Sequence, residues 1–195
     1  MILFDREQLE NGLSLLVTKL HSTGVRAGIR IVGGAAIALR YFERDATTDI
    51  DGRSVGDATA LALAVSEVAA ENGWQTDWLN TSAAQFIPDY GTATQWETLY
   101  DDGLVTVEVA SAATLLAMKL RANRPGRDDA DIASLLVLVD LDTIDAIDDF
   151  YESYYPGDSL SDRGFAMVTR ILAVGLPERP TELPTPVIEL RDRRS

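Results

Sequence analysis

The sequence has no cysteine and a single histidine, His21. The first absence removes disulfides, thiol catalysis and thiolate metal sites. The second leaves almost no room for imidazole metal cages or histidine relays. Lysine is nearly missing as well: two residues, Lys19 and Lys119, stand against fifteen arginines. No wholly apolar run approaches the ~20 residues that cross a bilayer; Leu135-Leu136-Val137-Leu138-Val139 is typical. Met1-Ile2-Leu3-Phe4-Asp5-Arg6-Glu7 turns acidic at once and lacks a basic leader pattern. These absences point to a cytoplasmic protein with no membrane and no disulfide partner. Its chemistry must then use carboxylates, Lys, Arg, hydroxyls and a hard cation such as Mg²⁺.

What is present is acid. The net charge is −14 over 195 residues, which works against indiscriminate binding of polyanions. The charge is uneven. Residues 128–162 hold eleven acidic and no basic side chains. Lys119, Arg121, Arg124 and Arg127 precede that stretch, and Arg26, Arg30, Arg40, Arg44 and Arg53 surround a Gly-Gly pair. An anionic ligand has a landing zone there, although solvated faces would read the same way.

Apolar spacing predicts helices over residues 5–22, 35–41 and 56–72, and over 112–122, 128–139, 142–154 and 159–174. Residues 29–32, 47–51 and 74–80 read as strands, followed by a small helix before Pro88. Asp101-Asp102-Gly103 between apolar runs signals a hairpin. The chain should therefore be α+β: a small mixed β-sheet core flanked by helices, with a C-terminal helical lobe. The boundaries drawn from sequence are 1–122 for the core, 123–176 for a helical lobe packed on it, and 177–195 for an irregular tail, mobile or pinned on the surface. Four of the seven prolines fall in that tail.

Three groups of residues can carry chemistry. Gly33-Gly34 lies between a strand and a helix, where backbone and helix N–H groups can approach a phosphate; a plain tight turn would look identical. Asp49-Ile50-Asp51, if on a strand, puts two carboxylates on one face. Such a pair calls for a cation, although a polar loop pair is the competing reading. Glu108 alternates with Thr106 in a further strand and is the best third carboxylate, unless that face is simply solvated. Lys119 sits inside the apolar helix Leu115-Leu116-Ala117-Met118-Lys119-Leu120 and either snorkels to water or meets an anion. Asp131 is placed to pair with Lys119 or Arg127.

In this order the motifs resemble the AbiEii-type nucleotidyltransferases, among them the MenT-like toxins and related nucleotidyltransferase-like proteins of the DNA-polymerase-β-like superfamily. Ile31-Val32-Gly33-Gly34-Ala35-Ala36-Ile37-Ala38-Leu39-Arg40, Arg44 and Thr47-Thr48-Asp49-Ile50-Asp51 carry the resemblance. Trp78-Leu79-Asn80, Phe86-Ile87-Pro88, the helix around Lys119, Arg127-Asp128 and Asp131-Ile132 extend it over roughly residues 29–160. The resemblance implies a nucleotidyltransferase core that moves NMP from an NTP to a hydroxyl. Asp49 and Asp51 would hold Mg²⁺, with Glu108 as third ligand from strand geometry. Gly33, Gly34, Arg44, Thr48, Lys119, Arg127 and Asp131 would form the nucleotide site, with Lys119 on the triphosphate. The implied acceptor is a tRNA 3′ end or a protein, and the implied partner a cognate antitoxin of a toxin–antitoxin system. Ala35 stands where many such proteins have Ser or Thr. Two further readings stay open: a non-catalytic nucleotide-binding or protein-interaction module on the same fold, and a partner protein whose acidic helices dock a basic protein.

Overall fold

Burial of apolar strand faces organises the chain around a five-stranded sheet. A computed structural model describes residues 3–44 and 46–191. Among them are seven α-helices and five strands, with strand order β3-β2-β1-β5-β4. The strands are β1 Ala27–Val32, β2 Ile50–Gly56, β3 Leu79–Asn80, β4 Trp96–Asp101 and β5 Val105–Ala110. Central β1 runs antiparallel to β2 and parallel to β5; β2–β3 is parallel and β4–β5 antiparallel. The architecture is thus α+β with a small mixed sheet.

The described residues fall into two compact units. The first holds the whole sheet, with α1 Arg6–Thr23, α2 Gly33–Arg40 and α3 Ala58–Asn72. A capping box starts α1: Asp5 accepts from the Gln8 N–H at 2.8 Å and Gln8 caps the Asp5 N–H at 3.0 Å. Leu9, Leu13, Leu16, Val17 and Leu20 then recur at helical spacing and are fully buried. One sheet face carries Ile29, Ile31, Ile50, Val105, Val107 and Val109, all without solvent exposure. At ~1.5–3 kcal/mol per large apolar side chain, this face and the α1 stripe dominate the unit's stability. The opposite face carries Arg30, Asp51, Arg53 and Glu108, in register across β1, β2 and β5.

Trp78 is 2% exposed, donates to the Val65 carbonyl at 3.1 Å, and clusters with Phe4 and Trp74. Its carbonyl accepts the Ile50 N–H at 2.7 Å, which seats β3 beside β2.

The C-terminal segment returns to this unit. Residues 182–191 have no regular secondary structure, yet they lie along α1. Arg6 donates to the Pro184 carbonyl and, at 3.3 Å, to the Ala38 carbonyl of α2. The Glu189 and Arg191 N–H groups bond to the hydroxyls of Ser14 and Thr18 at 3.2 and 2.9 Å. Two hydroxyls four residues apart on a helix are separated by ~6 Å along its axis. Two residues of extended chain advance ~6.6 Å, so the matched spacing clips strap to helix. Of the two alternatives for the tail, residues 182–191 follow the pinned one.

The second unit comprises Phe86–Gln95 and Ser111–Thr181. It contains α4 Ala112–Ala122, α5 Asp129–Leu138, α6 Ile144–Tyr154 and α7 Asp162–Val174. Helix α4 thus groups with the other C-terminal helices, whereas the boundary drawn from sequence places it with the core, and the unit also takes in Phe86–Gln95. Its apolar residues Leu115, Leu116, Ala117, Met118 and Leu120 are buried, as are Ile132, Leu135, Leu136, Ile147, Met167 and Val168 in the other three helices.

Candidate nucleotide and metal site

The Gly-Gly segment sits where β1 gives way to α2. Val32 ends β1 and is the N-cap of α2 without a side-chain hydrogen bond. Gly33 takes φ +69°, a left-handed conformation that favours glycine. A Cβ on Gly33 would lie 3.3 Å from Asp51 Oδ2, and one on Gly34 would lie 2.7 Å from an Arg44 terminal nitrogen and 3.2 Å from Thr47 Oγ1. The lack of side chains there brings the α2 N-terminus, a carboxylate and a guanidinium into one corner. Arg44 donates to the Ala46 carbonyl at 3.0 Å. It also lines, with Arg6, Glu43 and Leu183-Pro184, an open cleft of about 560 Å³.

The acidic pair is placed differently from the sequence expectation. Strand β2 starts at Ile50 and runs on to Gly56, so it does not span 47–51. Asp51 is in the strand opposite Val32, whereas Asp49 precedes it. Pairing decides this: Ile50 is set against Leu79 of β3 and Asp51 against Val32 of β1, and Asp49 lies outside both registers. Asp49 Oδ1 accepts from Thr48 Oγ1 at 3.0 Å, and Oδ2 from Asn80 Nδ2 at 2.8 Å. Asp51 Oδ1 accepts the Ala83 N–H at 3.1 Å. Gly33, Gly34, Arg44, Thr48, Asp49 and Asp51 are therefore brought together at one end of the sheet.

Glu108 lies on the same sheet face as Asp51, but its Oε2 accepts from Arg30 Nε at 2.7 Å. Arg30 in turn lies 5.0 Å over the Trp96 ring. Among the described residues no three His, Cys, Asp or Glu side chains are grouped to hold a metal ion. Mg²⁺ is ordinarily held by one or two carboxylates, with substrate phosphates and water filling its shell. The all-oxygen pair Asp49 and Asp51 fits that pattern without a third protein ligand.

Lys119, Arg127 and Asp131 belong to the helical unit. Lys119 is 5% exposed, and its ammonium donates to Asp128 Oδ1 at 2.7 Å and Asp131 Oδ2 at 2.6 Å. Asp128 has no solvent exposure and also accepts from Arg124 Nε at 2.9 Å. Burial alone would raise the Asp128 carboxyl. The hydrogen bond from Arg124 and the adjacent Lys119 charge outweigh it and hold the group below the usual carboxylate range. Two of the three Lys119 donors are thus engaged by carboxylates, and reaching a triphosphate would require loosening them. Arg127 is exposed in the turn between α4 and α5.

The chain matches no family model, no curated protein and no solved structure. Its site is read from its own residues. Among those residues, Asn80, the Ala83 N–H and Asp128 are structurally central but absent from the sequence-derived site. For Asp128 a signal existed: Asp128 and Asp131, three apart, share one helix face. In the sequence Asn80 stands out only within Trp78-Leu79-Asn80, and its contact with Asp49 follows from β3 lying beside β2.

No helix among the described residues is long and apolar enough to cross a membrane.

Proposed function

We propose that the corner formed by Gly33-Gly34, Asp49 and Asp51 transfers a nucleoside monophosphate from an NTP to a hydroxyl acceptor, with Mg²⁺ as cofactor: the acceptor oxygen bonds to the α-phosphorus, the α–β phosphoanhydride bond breaks, pyrophosphate leaves, and the hydroxyl proton passes to water. The observation that carries this reading is the meeting of a helix N-terminus, Asp51 and Arg44 around two residues that have no side chains. A helix N-terminus and a guanidinium attract phosphate. Paired carboxylates repel it, unless a divalent cation lies between. An NTP–Mg²⁺ complex satisfies both halves of the corner.

Asp49 and Asp51 would hold the ion, which when bound neutralises phosphate charge and lowers the pKa of the acceptor hydroxyl. The α2 N–H groups and Arg44 would orient the phosphates, and Thr48 steadies Asp49. Lys119 enters as the buried cation that joins α4 to α5. Arg127 is exposed and available to an anion. A reaction fed by NTP also suits a cytoplasmic protein. The resemblance suggests a tRNA 3′ end or a protein as acceptor, and a toxin–antitoxin setting with a cognate antitoxin as partner.

The purified protein is incubated with Mg²⁺, each of four α-labelled NTPs and total tRNA, beside the Asp49→Ala/Asp51→Ala variant. Label entering RNA or protein with wild type alone supports the reading and names the acceptor class. Transfer that survives in the double variant refutes it. The engagement of Glu108 by Arg30 favours a second reading, a nucleotide-binding module without turnover. Saturable NTP–Mg²⁺ binding with no transfer to any acceptor would select that one.

A further inference from the structure

We infer that Asn80 is a positioning residue for the acidic pair, fixing the Asp49 carboxylate directly and the Asp51 carboxylate through the turn that it caps. The inference rests on the phosphoryl-transfer reading of this corner. Its evidence is a chain of bonds in the sheet unit. Asn80 pairs with Asp51 in the β2–β3 register. Its Nδ2 donates to Asp49 Oδ2 at 2.8 Å, with a longer contact of 3.3 Å to the Asp77 carbonyl. Its Oδ1 accepts the Ser82 N–H at 2.8 Å. That last bond opens the 3₁₀ turn Ser82–Phe86, whose second residue, Ala83, donates its N–H to Asp51 Oδ1 at 3.1 Å.

The Ser82 N–H can face only the amide oxygen, so the amide nitrogen must face Asp49. One side chain therefore sets both carboxylates. Asp49 needs such help more than Asp51, because it lies ahead of β2 and has no strand partner to fix its backbone. The donors from this turn are an uncharged amide and a backbone N–H. They orient a carboxylate without cancelling its charge, which is what a cation-holding pair requires. A lysine or arginine in the place of Asn80 would orient Asp49 and neutralise it at once. Trp78, buried two residues earlier, anchors the platform on which Asn80 stands.

The test uses the full chain and two variants. Asn80→Ala removes both functions of the side chain. Asn80→Ser keeps a short acceptor that can cap the Ser82 N–H but cannot reach Asp49. Mn²⁺ uptake is followed by loss of the free-ion paramagnetic resonance signal at millimolar Mn²⁺, and Mg²⁺ dependence by the KM for Mg²⁺ in the transfer assay. Both variants should weaken Mn²⁺ binding ~10–100-fold, as loss of an orienting partner does elsewhere. The KM for Mg²⁺ should rise in parallel, while kcat at saturating Mg²⁺ falls less and the Asn80→Ser melting temperature stays near wild type. Wild-type Mn²⁺ affinity in Asn80→Ser, with binding lost in Asp51→Ala, overturns the positioning role and leaves the site intact. No Mn²⁺ uptake by the wild-type protein overturns the metal-site reading and the positioning role together.

Discussion

Replacing Lys119 by Met tests the helical unit at its most demanding point. The ammonium is 5% exposed and donates two short bonds, at 2.7 Å to Asp128 and 2.6 Å to Asp131. The methionine fills a similar volume but leaves both carboxylates without that cation. Two charge-assisted hydrogen bonds at ~1.5–3 kcal/mol each give ~3–6 kcal/mol, in line with the ~3–5 kcal/mol expected for breaking a buried ion pair from one side. For a chain of this length ~2–4 °C is lost per kcal/mol, so the melting temperature should drop by ~6–24 °C. Urea unfolding followed by far-ultraviolet dichroism measures the loss. The companion variant Lys119→Met/Asp131→Asn should recover part of it, because the buried carboxylate that lost the ammonium becomes a neutral amide. The cycle of single and double variants isolates the Lys119–Asp131 coupling. A Lys119→Met cost below ~1 kcal/mol would place the ammonium in the range of an exposed pair, and the buried-network argument would fail.

Acid should expose a second feature. Burial would raise the Asp102 carboxyl, but N–H bonds from Val105 and Leu104, the Tyr100 hydroxyl and His21 bring it down to about 2. Its folded value is depressed, so the stability it contributes is present above about pH 4 and is lost as pH falls toward 2. Urea titrations at pH 5 and pH 3 should show a larger loss for wild type than for Asp102→Asn. Ser14→Ala and Thr18→Val each remove an acceptor for a strap N–H. Each should cost ~1 kcal/mol and speed amide exchange at Glu189 and Arg191 while leaving the β1 amides protected. Gly33→Ala forces an ordinary residue into φ +69° and sets a methyl 3.3 Å from Asp51 Oδ2. A cost of ~1–2 kcal/mol is expected, with weaker NTP–Mg²⁺ binding by calorimetry.

Much of the fold is legible in the chain because the signals are local. Asp5 and Gln8 announce the start of α1, Asp101-Asp102-Gly103 announces the β4–β5 hairpin, and Ser111 marks α4, whose Thr114 N–H it caps at 3.2 Å. The acidic pair and the Gly-Gly segment are legible as residues but not as geometry. Where β2 begins depends on where β1 and β3 pair with it, and Asp49 falls outside both pairings. Asn80 stands in the Trp78-Leu79-Asn80 segment that the sequence singles out, but its bond to Asp49 is not legible there, because the partner is 31 residues away and reached across a parallel pairing. The strap is equally hidden. Ser14 and Thr18 read as ordinary polar positions of α1, and their spacing acquires meaning only when residues 189 and 191 lie alongside.

That strap has a consequence for how the protein is made. The sheet unit draws on Met1–Gln85, Trp96–Ala110 and Glu182–Ser195, with the helical unit's residues encoded between. Synthesis proceeds from the N-terminus at ~5–20 residues per second, so β5, the inner neighbour of β1, is translated well after β1 and β2. Ser14 and Thr18 then wait for residues 189 and 191 until the whole helical unit has been translated. About 175 residues separate each hydroxyl from its partner, so at those rates the interval is ~9–35 s, of which the last part covers the helical unit. During it the strap-facing side of α1 is open to water, to chaperones and to any extended peptide with the same N–H spacing.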